Sequence, residues 1–219
     1  MNIVWYGQSC FKLQCKDTVL VTDPFDKKIG LKPPYGAADI VTISHDHYDH
    51  NNFEALKNNP FVVDGEGEFE IKKISIRGIN SFHDNSEGKE RGNNTIYIIE
   101  MEDLKICHLG DFGQEGFLNG QLEKIGHVDI LFVPVGGTFT IDWKLASSIV
   151  NQIEPRIVIP MHYKVAGIKG DLLKLDKVDS FCKEYGVSEK DAVDKFSIKK
   201  KDLPQEETKA VIMKISGSV

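Results

Sequence analysis

The chain has 219 residues, a formal net charge of −6 and a pI of about 5.7, which argues against a constitutive nucleic-acid binder built on a basic stripe. Hydrophobic residues make up 41% and charged residues 27%, enough to bury a sizeable core, and no apolar run approaches the ~20 residues that a membrane span requires. Cys10, Cys15, Cys107 and Cys182 show no CxxC pairing, and the opening Met1-Asn2-Ile3-Val4-Trp5-Tyr6-Gly7 carries no signal-peptide pattern, so we expect free thiols and a cytoplasmic location.

Alternating runs at 2–6, 9–15 and 18–22 predict three strands with tight turns at Gly7 and Lys16-Asp17. The third ends in Val21-Thr22-Asp23-Pro24, where Asp23 either orients a metal-bound histidine or caps a turn. The Lys-, Gly- and Pro-rich segment 26–38 predicts a surface loop with the reach of a lid. A strand over 39–44 leads into His45-Asp46-His47-Tyr48-Asp49-His50, and one or two helical turns follow from Phe53 to Lys57. Strands at 61–63, 67–72 and 73–80 come next, the last running into His83 and a polar loop at 84–94. Two further strands, 95–100 and 104–109, cross a Glu102-Asp103 turn and end in His108-Leu109-Gly110-Asp111. The pattern then becomes helix 118–125, buried strand 128–134, helix 142–152 with Asp142 as N-cap, buried strand 156–160 before Met161-His162, and helix 171–185 stopped by Gly186. The charged segment 187–207 predicts solvated surface with a strand near 196–199, and 210–215 a closing strand. No repeat or linker interrupts the chain, so we expect one domain over 1–219.

An apolar strand that ends in a burst of imidazoles and carboxylates offers what a borderline divalent metal needs. His45, His47 and Asp49 share strand parity, whereas His50 reaches the same place only if the chain turns. Other apolar strands also end in candidate ligands: Asp111 after Leu109, His162 after Ile159, and His83 after the arm at 73–80. The chemically sensible division puts His45, His47 and His83 on one metal and Asp49, His50 and His162 on a second, with Asp111 bridging. Two metals ~3.5–4 Å apart acidify a shared water and clamp the reacting oxygens. Two dications against Asp49, Asp111 and one hydroxide leave a charge of +1, suited to an anionic substrate. His108 lies within a strand, so if Asp111 faces the metals His108 faces away, unless the chain twists at Gly110.

This arrangement resembles the metallo-β-lactamase superfamily. The resemblance rests on HxHxDH at 45–50, Asp23 at the preceding strand end, Gly110-Asp111 and Met161-His162. The wording "HLGDFG", "VDILFVPVGGTFTID" and "IVIPMHY" is closer still to the branch of metal-dependent hydrolases similar to L-ascorbate 6-phosphate lactonase-like proteins. It implies an α/β fold, the αβ/βα four-layer sandwich of two mixed β-sheets with metals at one edge, and the ligand roles assigned above. The implied activity is that of a dinuclear hydrolase in which metal-bound hydroxide attacks a small, anionic ester, lactone or phosphodiester, with Asp49 and Asp111 in catalytic positions. Zinc is the first expectation for the two ions, with manganese or iron(II) as alternatives. His47 stands where oxygen-reducing diiron relatives carry a carboxylate, which favours hydrolysis over redox chemistry. Competing readings are a nuclease, disfavoured by the acidic pI and the lack of an RNA-gripping insertion, and a non-catalytic metal-binding protein. The expected partner is a small molecule, without membrane or nucleic acid, and self-association is left open.

Other residues carry weaker signals. Gly136-Gly137-Thr138 reads equally as a place for substrate to approach the backbone and as a plain turn. Lys164 has the reach to steer an anion or to stand as a solvated charge. His127, Trp5 and Trp143 read as structural.

Overall fold

The runs at 2–6 and 18–22 carry apolar side chains on both faces, Ile3 and Trp5 against Val4 and Tyr6 in the first, so the sheet they form must be covered on both sides. The computed structural model describes residues 1–118 and 120–217 and shows how this is done. Strands β1 (Asn2–Gly7), β2 (Cys10–Cys15) and β3 (Thr18–Thr22) pair antiparallel, and β4 (Ile40–Thr42) and β5 (Phe61–Val63) extend the sheet in parallel. A second sheet begins with the antiparallel meander β6 (Gly67–Ile71), β7 (Ile74–Phe82), β8 (Asn93–Met101) and β9 (Leu104–His108). After helix α1 (Gln121–Ile125) the connections cross over, and β10 (Ile130–Pro134), helix α2 (Trp143–Ile153) and β11 (Ile157–Met161) continue that sheet in parallel. Helix α3 (Asp179–Glu184) follows; β12 (Phe196–Ser197) then joins the first sheet beside β1, and β13 (Lys209–Ala210) joins the second beside β11.

Strand alternation sorts the core into layers. Ile3, Trp5, Phe11, Leu13, Leu20 and Ile40 face the second sheet, and Phe11 stacks on Phe132 with ring centroids 4.1 Å apart. Tyr6, Cys10, Val21 and Val41 face the other way, into a second apolar cluster with Phe25, Ile29, Leu31, Ala38, Ile168 and Leu172. The helices cover the outer face of the second sheet, with Ala146, Ile149 and Val150 of α2 buried. Asp142 accepts a hydrogen bond from the Leu145 N–H and caps α2. The result is the expected sandwich of two mixed β-sheets, although the outer layer on the first sheet is coil and 3-10 turns.

Several details differ from expectation. Segment 26–38 is no lid: Ile29, Leu31 and Ala38 are buried against the first sheet, because its apolar face needs a cover there. The helix expected at 171–185 is a 3-10 turn (Gly170–Lys174) and α3, separated by Leu175, which is buried against the first sheet's cluster. The closing strand shrinks to Lys209–Ala210, with only isolated bridges at Met213 and Ile215. Part of the helix expected at 118–125 forms as α1, and position 119 lies outside the described residues. The turn at 53–57 is a 3-10 helix, Phe53–Ala55. All four cysteines are free. Among the described residues no helix is long and apolar enough to cross a membrane.

Candidate metal centre

Strands β3 and β4 in one sheet, and β7, β9, β10 and β11 in the other, all end at one edge of the sandwich. Four segments leaving those ends bring seven side chains together. The run 45–50 folds back on itself: the N–H groups of His50 and Asn51 donate to His47 O at 2.8 and 3.1 Å, which is the turn that His50 needs to rejoin the others. His83 follows β7, Asp111 follows β9 after the Gly110 turn, and His162 follows β11. Three overlapping sets have donor atoms within 4.8 Å of one another: His45, His47 and His83; His45, His50 and Asp111; Asp49, His50 and His162. The structure therefore assembles all seven of the sequence-derived ligand candidates.

A second layer of polar contacts holds these groups. Asp23 is wholly buried; it accepts from Ser44 N and Ser44 Oγ, each at 2.7 Å, and lies 3.0 Å from His50 Nδ1. Its backbone is left-handed, at φ 39°, as is that of His162, at φ 50°. Such strain in residues without glycine's freedom persists only where the surroundings over-determine it, and it clusters at functional sites. Asn94 bridges the Gly110 turn, accepting from Asp111 N at 2.9 Å and donating to Leu109 O at 2.9 Å. A Cβ at Gly110, whose φ is +58°, would lie 2.3 Å from Asn94 Oδ1 and 2.6 Å from Ser44 Cβ, so the turn requires glycine. Ser9 Oγ donates to Asp111 Oδ1 at 3.2 Å.

His108 stands apart. Its Nε2 donates to Ser9 O at 2.8 Å, its Nδ1 accepts from Gly110 N at 3.2 Å, and its ring packs near Phe11 and Phe132. Those contacts define a neutral imidazole, and burial pushes its pKa down accordingly.

The centre itself has unspent bonding capacity. Nε2 of His50, Nδ1 of His83 and both ring nitrogens of His162 are buried without a hydrogen-bond partner among the described residues. His50 Nε2 and His162 Nε2 lie 3.3 and 3.1 Å from Asp111 Oδ2, but out of line for a hydrogen bond. One such orphan costs about 1–3 kcal/mol, so several in one place point to a missing partner shared between them. Five imidazoles and two carboxylates are a donor set that fits divalent cations such as zinc, manganese or iron. Electrostatics agree on the sign. Burial disfavours a charged His50, yet Asp111 and Asp49 outweigh it and raise its pKa well above the usual value. Burial likewise opposes ionisation of Asp111, yet His162 and His50 hold it well below the carboxylate range. His45 is driven down by burial and then by His50, and His47 by burial and then by His83, so both present neutral nitrogens.

The centre opens to solvent through a cavity of about 330 Å³, with Asp49, His83 and His162 in its floor and Tyr48, Arg91 and Phe139 in its walls. A larger groove of about 770 Å³ lies at the opposite ends of β10 and β11, beside His127 and Arg156, and holds no comparable donor cluster among the described residues. Lys164 does not face an anion; its Nζ donates to Leu173 O at 2.7 Å. Gly136 serves packing, since a Cβ there would stand 2.1 Å from His162 O. Trp5 is buried, Trp143 packs at the core's margin, and His127 lies 3.2 Å from Asp129 at the far edge.

Sequence reasoning did not find Ser9, Ser44, Asn94 or Arg91. Each is a polar residue at a strand border, and its role depends on a partner far along the chain: Ser9 and Asp111 are 102 positions apart.

Comparison with known proteins agrees with this geometry. The beta-lactamase superfamily domain model matches residues 2–162. A UPF0173 metal-dependent hydrolase of Thermoplasma acidophilum is 32% identical over 205 residues, covering 80% of this chain and 87% of the relative. One from Thermococcus onnurineus is 30% identical over 193 residues, covering 74% and 84%. The crystal structure of a candidate Zn-dependent hydrolase of the metallo-beta-lactamase superfamily from Thermotoga maritima superposes with a TM-score of 0.78 at 35% identity, covering 97% of both chains. The strand-end centre, the two mixed sheets and these relatives together make the chain a member of the metallo-β-lactamase superfamily, among its UPF0173 metal-dependent hydrolases.

Proposed function

We propose that this chain is a dinuclear, zinc-first hydrolase of small anionic esters, lactones or phosphodiesters. The observation that carries the reading is the pair of buried imidazole nitrogens without partners beside Asp111, Nε2 of His50 and Nε2 of His162. His45, His47 and His83 would hold one ion, and Asp49, His50 and His162 the other, with Asp111 shared between them. When bound, the ions supply an acidified water as nucleophile and a Lewis acid for the developing oxyanion. The protein's part is orientation. Asp23 fixes the His50 ring through Nδ1, and Ser9 and Asn94 fix the carboxylate and backbone of Asp111. The cavity admits a small molecule, at the low end of ligand-pocket volumes. The four unpaired cysteines suit a cytoplasmic setting.

The test is metal analysis of protein purified from metal-replete medium, with a panel of lactones, carboxylic esters and phosphodiesters and a parallel RNA-cleavage gel. We expect two ions per chain and turnover of at least one small anionic substrate. Asp111→Asn should lower turnover by more than the ~10–100-fold that loss of a ligand's outer partner costs, while circular dichroism stays native. Saturation at one ion overturns the dinuclear assignment, and cleavage confined to RNA overturns the substrate class.

A further inference from the structure

The loop that aims His83 also delivers a cation to the mouth of the centre. The Asp84 carboxylate accepts four backbone N–H groups: Ser86 at 2.7 Å and Gly88 at 2.9 Å through Oδ1, and Glu90 at 3.0 Å and Arg91 at 2.7 Å through Oδ2. The loop closes where His83 N donates to Gly92 O at 3.0 Å, so His83 and Arg91 flank one neck. The Arg91 guanidinium lies over the Phe139 ring, 4.9 Å from its centroid. Both residues line the cavity whose floor holds Asp49, His83 and His162.

Among the described residues no carboxylate lies within 4.0 Å of the Arg91 guanidinium nitrogens. The nearby acid of the cavity wall, Asp171, is already paired with Lys174 at 2.7 Å. Stacking fixes the plane of a guanidinium and leaves its N–H edge free, and that edge matches carboxylate and phosphate oxygens in pairs. An arginine serving solubility alone would need neither the aromatic platform nor a backbone cage around its loop.

We infer that Arg91, seated on Phe139, is an oxyanion subsite that binds a carboxylate or phosphate group at the non-reacting end of the substrate. The inference rests on the hydrolytic reading of the neighbouring centre and deepens it. It makes the substrate a small molecule with two functions: a scissile ester, lactone or phosphodiester over the floor, and a second anionic group at the wall.

The experiment compares metal-loaded wild type with Arg91→Gln, Arg91→Lys and Phe139→Leu. Two esters with the same leaving group are used, 4-nitrophenyl acetate and 4-nitrophenyl hemisuccinate, of which only the second carries a free carboxylate. Calorimetric titration with succinate and with phenylphosphonate gives a readout independent of turnover. In Arg91→Gln, kcat/KM for the hemisuccinate should fall about tenfold further than for the acetate, chiefly through KM, with metal content unchanged. Arg91→Lys should recover part of that loss, since it keeps the charge without the fork. Binding of succinate, phenylphosphonate or both should weaken about tenfold in Arg91→Gln, and the anion that loses more identifies the group the subsite takes. Anions held only by the metals would bind all variants alike, which overturns the subsite, as would equal losses for the two esters. If wild type turns over neither ester yet succinate or phenylphosphonate binding still depends on Arg91, the subsite stands and the carboxylic-ester part of the hydrolytic reading falls.

Discussion

His108 and His162 end neighbouring regions of one sheet, on either side of β10, and both are buried, yet they have opposite characters. His108 belongs to a layer in which hydrogen-bonding capacity is used up: its two nitrogens join Ser9 O to Gly110 N, and Ser9 reaches on to Asp111. His162 belongs to the layer above, where both ring nitrogens are without partners. Burial therefore does not distinguish a structural histidine from a candidate ligand. What separates these two is that the surrounding protein has already satisfied the ring of His108 and has not satisfied that of His162.

The strongest way to break this comparison is to remove one ring from each layer. His83→Ala should lose one metal and nearly all turnover. His108→Ala should keep both metals and lose roughly 1–3 kcal/mol of stability, from the unpaired Ser9 O and Gly110 N it leaves behind. Metal analysis beside thermal melts reads both, and metal loss confined to His108→Ala would invert the assignment.

Asp23 sharpens the comparison because it spans the layers, complete toward Ser44 and bonded upward to His50. Asp23→Asn keeps the shape but weakens the hold on the ring, so metal affinity or rate should fall about 10–100-fold. Competition with a chromogenic chelator measures it, and unchanged affinity would make Asp23 a turn residue only.

The smallest effect concerns pH. Four backbone N–H groups hold the Asp84 carboxyl down to about 2. A folded-state pKa below the unfolded value means that this stabilisation is present above about pH 4 and is lost as pH falls through about 2. Amide exchange at Ser86, Gly88, Glu90 and Arg91 should therefore stay slow from pH 7 down to about 3.5, whereas Asp84→Asn should exchange faster already at pH 7. Equal protection in the two proteins would show that the loop is ordered by something else.

Much of the upper layer was legible because its residues are crowded or follow apolar runs: His45 to His50 after Ile40–Thr42, Asp111 after β9, His162 after β11. The strand parity that set His108 apart from Asp111 is interrupted by the left-handed Gly110, and the two side chains diverge through that turn. The lower layer was hidden because Ser9, Ser44 and Asn94 are ordinary polar residues until the sheets face each other. Local patterns also failed where packing decides. Leu172 and Leu175 read as one helix with Phe181, but they are buried on the first sheet's outer cluster while Phe181 enters the main core, so the segment breaks between them. Arg91 was passed over as part of a polar loop because its platform, Phe139, lies 48 positions later.

The two-residue turns at Lys72-Lys73 and Glu102-Asp103 place both residues at positive φ, without glycine. Because β7 and β9 start there and run toward the candidate metal centre, these turns mark the opposite edge. The nine residues of β7 set the separation at about 30 Å. A surface or a fluorophore coupled at Lys73 would thus hold the molecule by its inert end and leave the mouth beside Arg91 facing solution, giving every immobilised copy the same orientation.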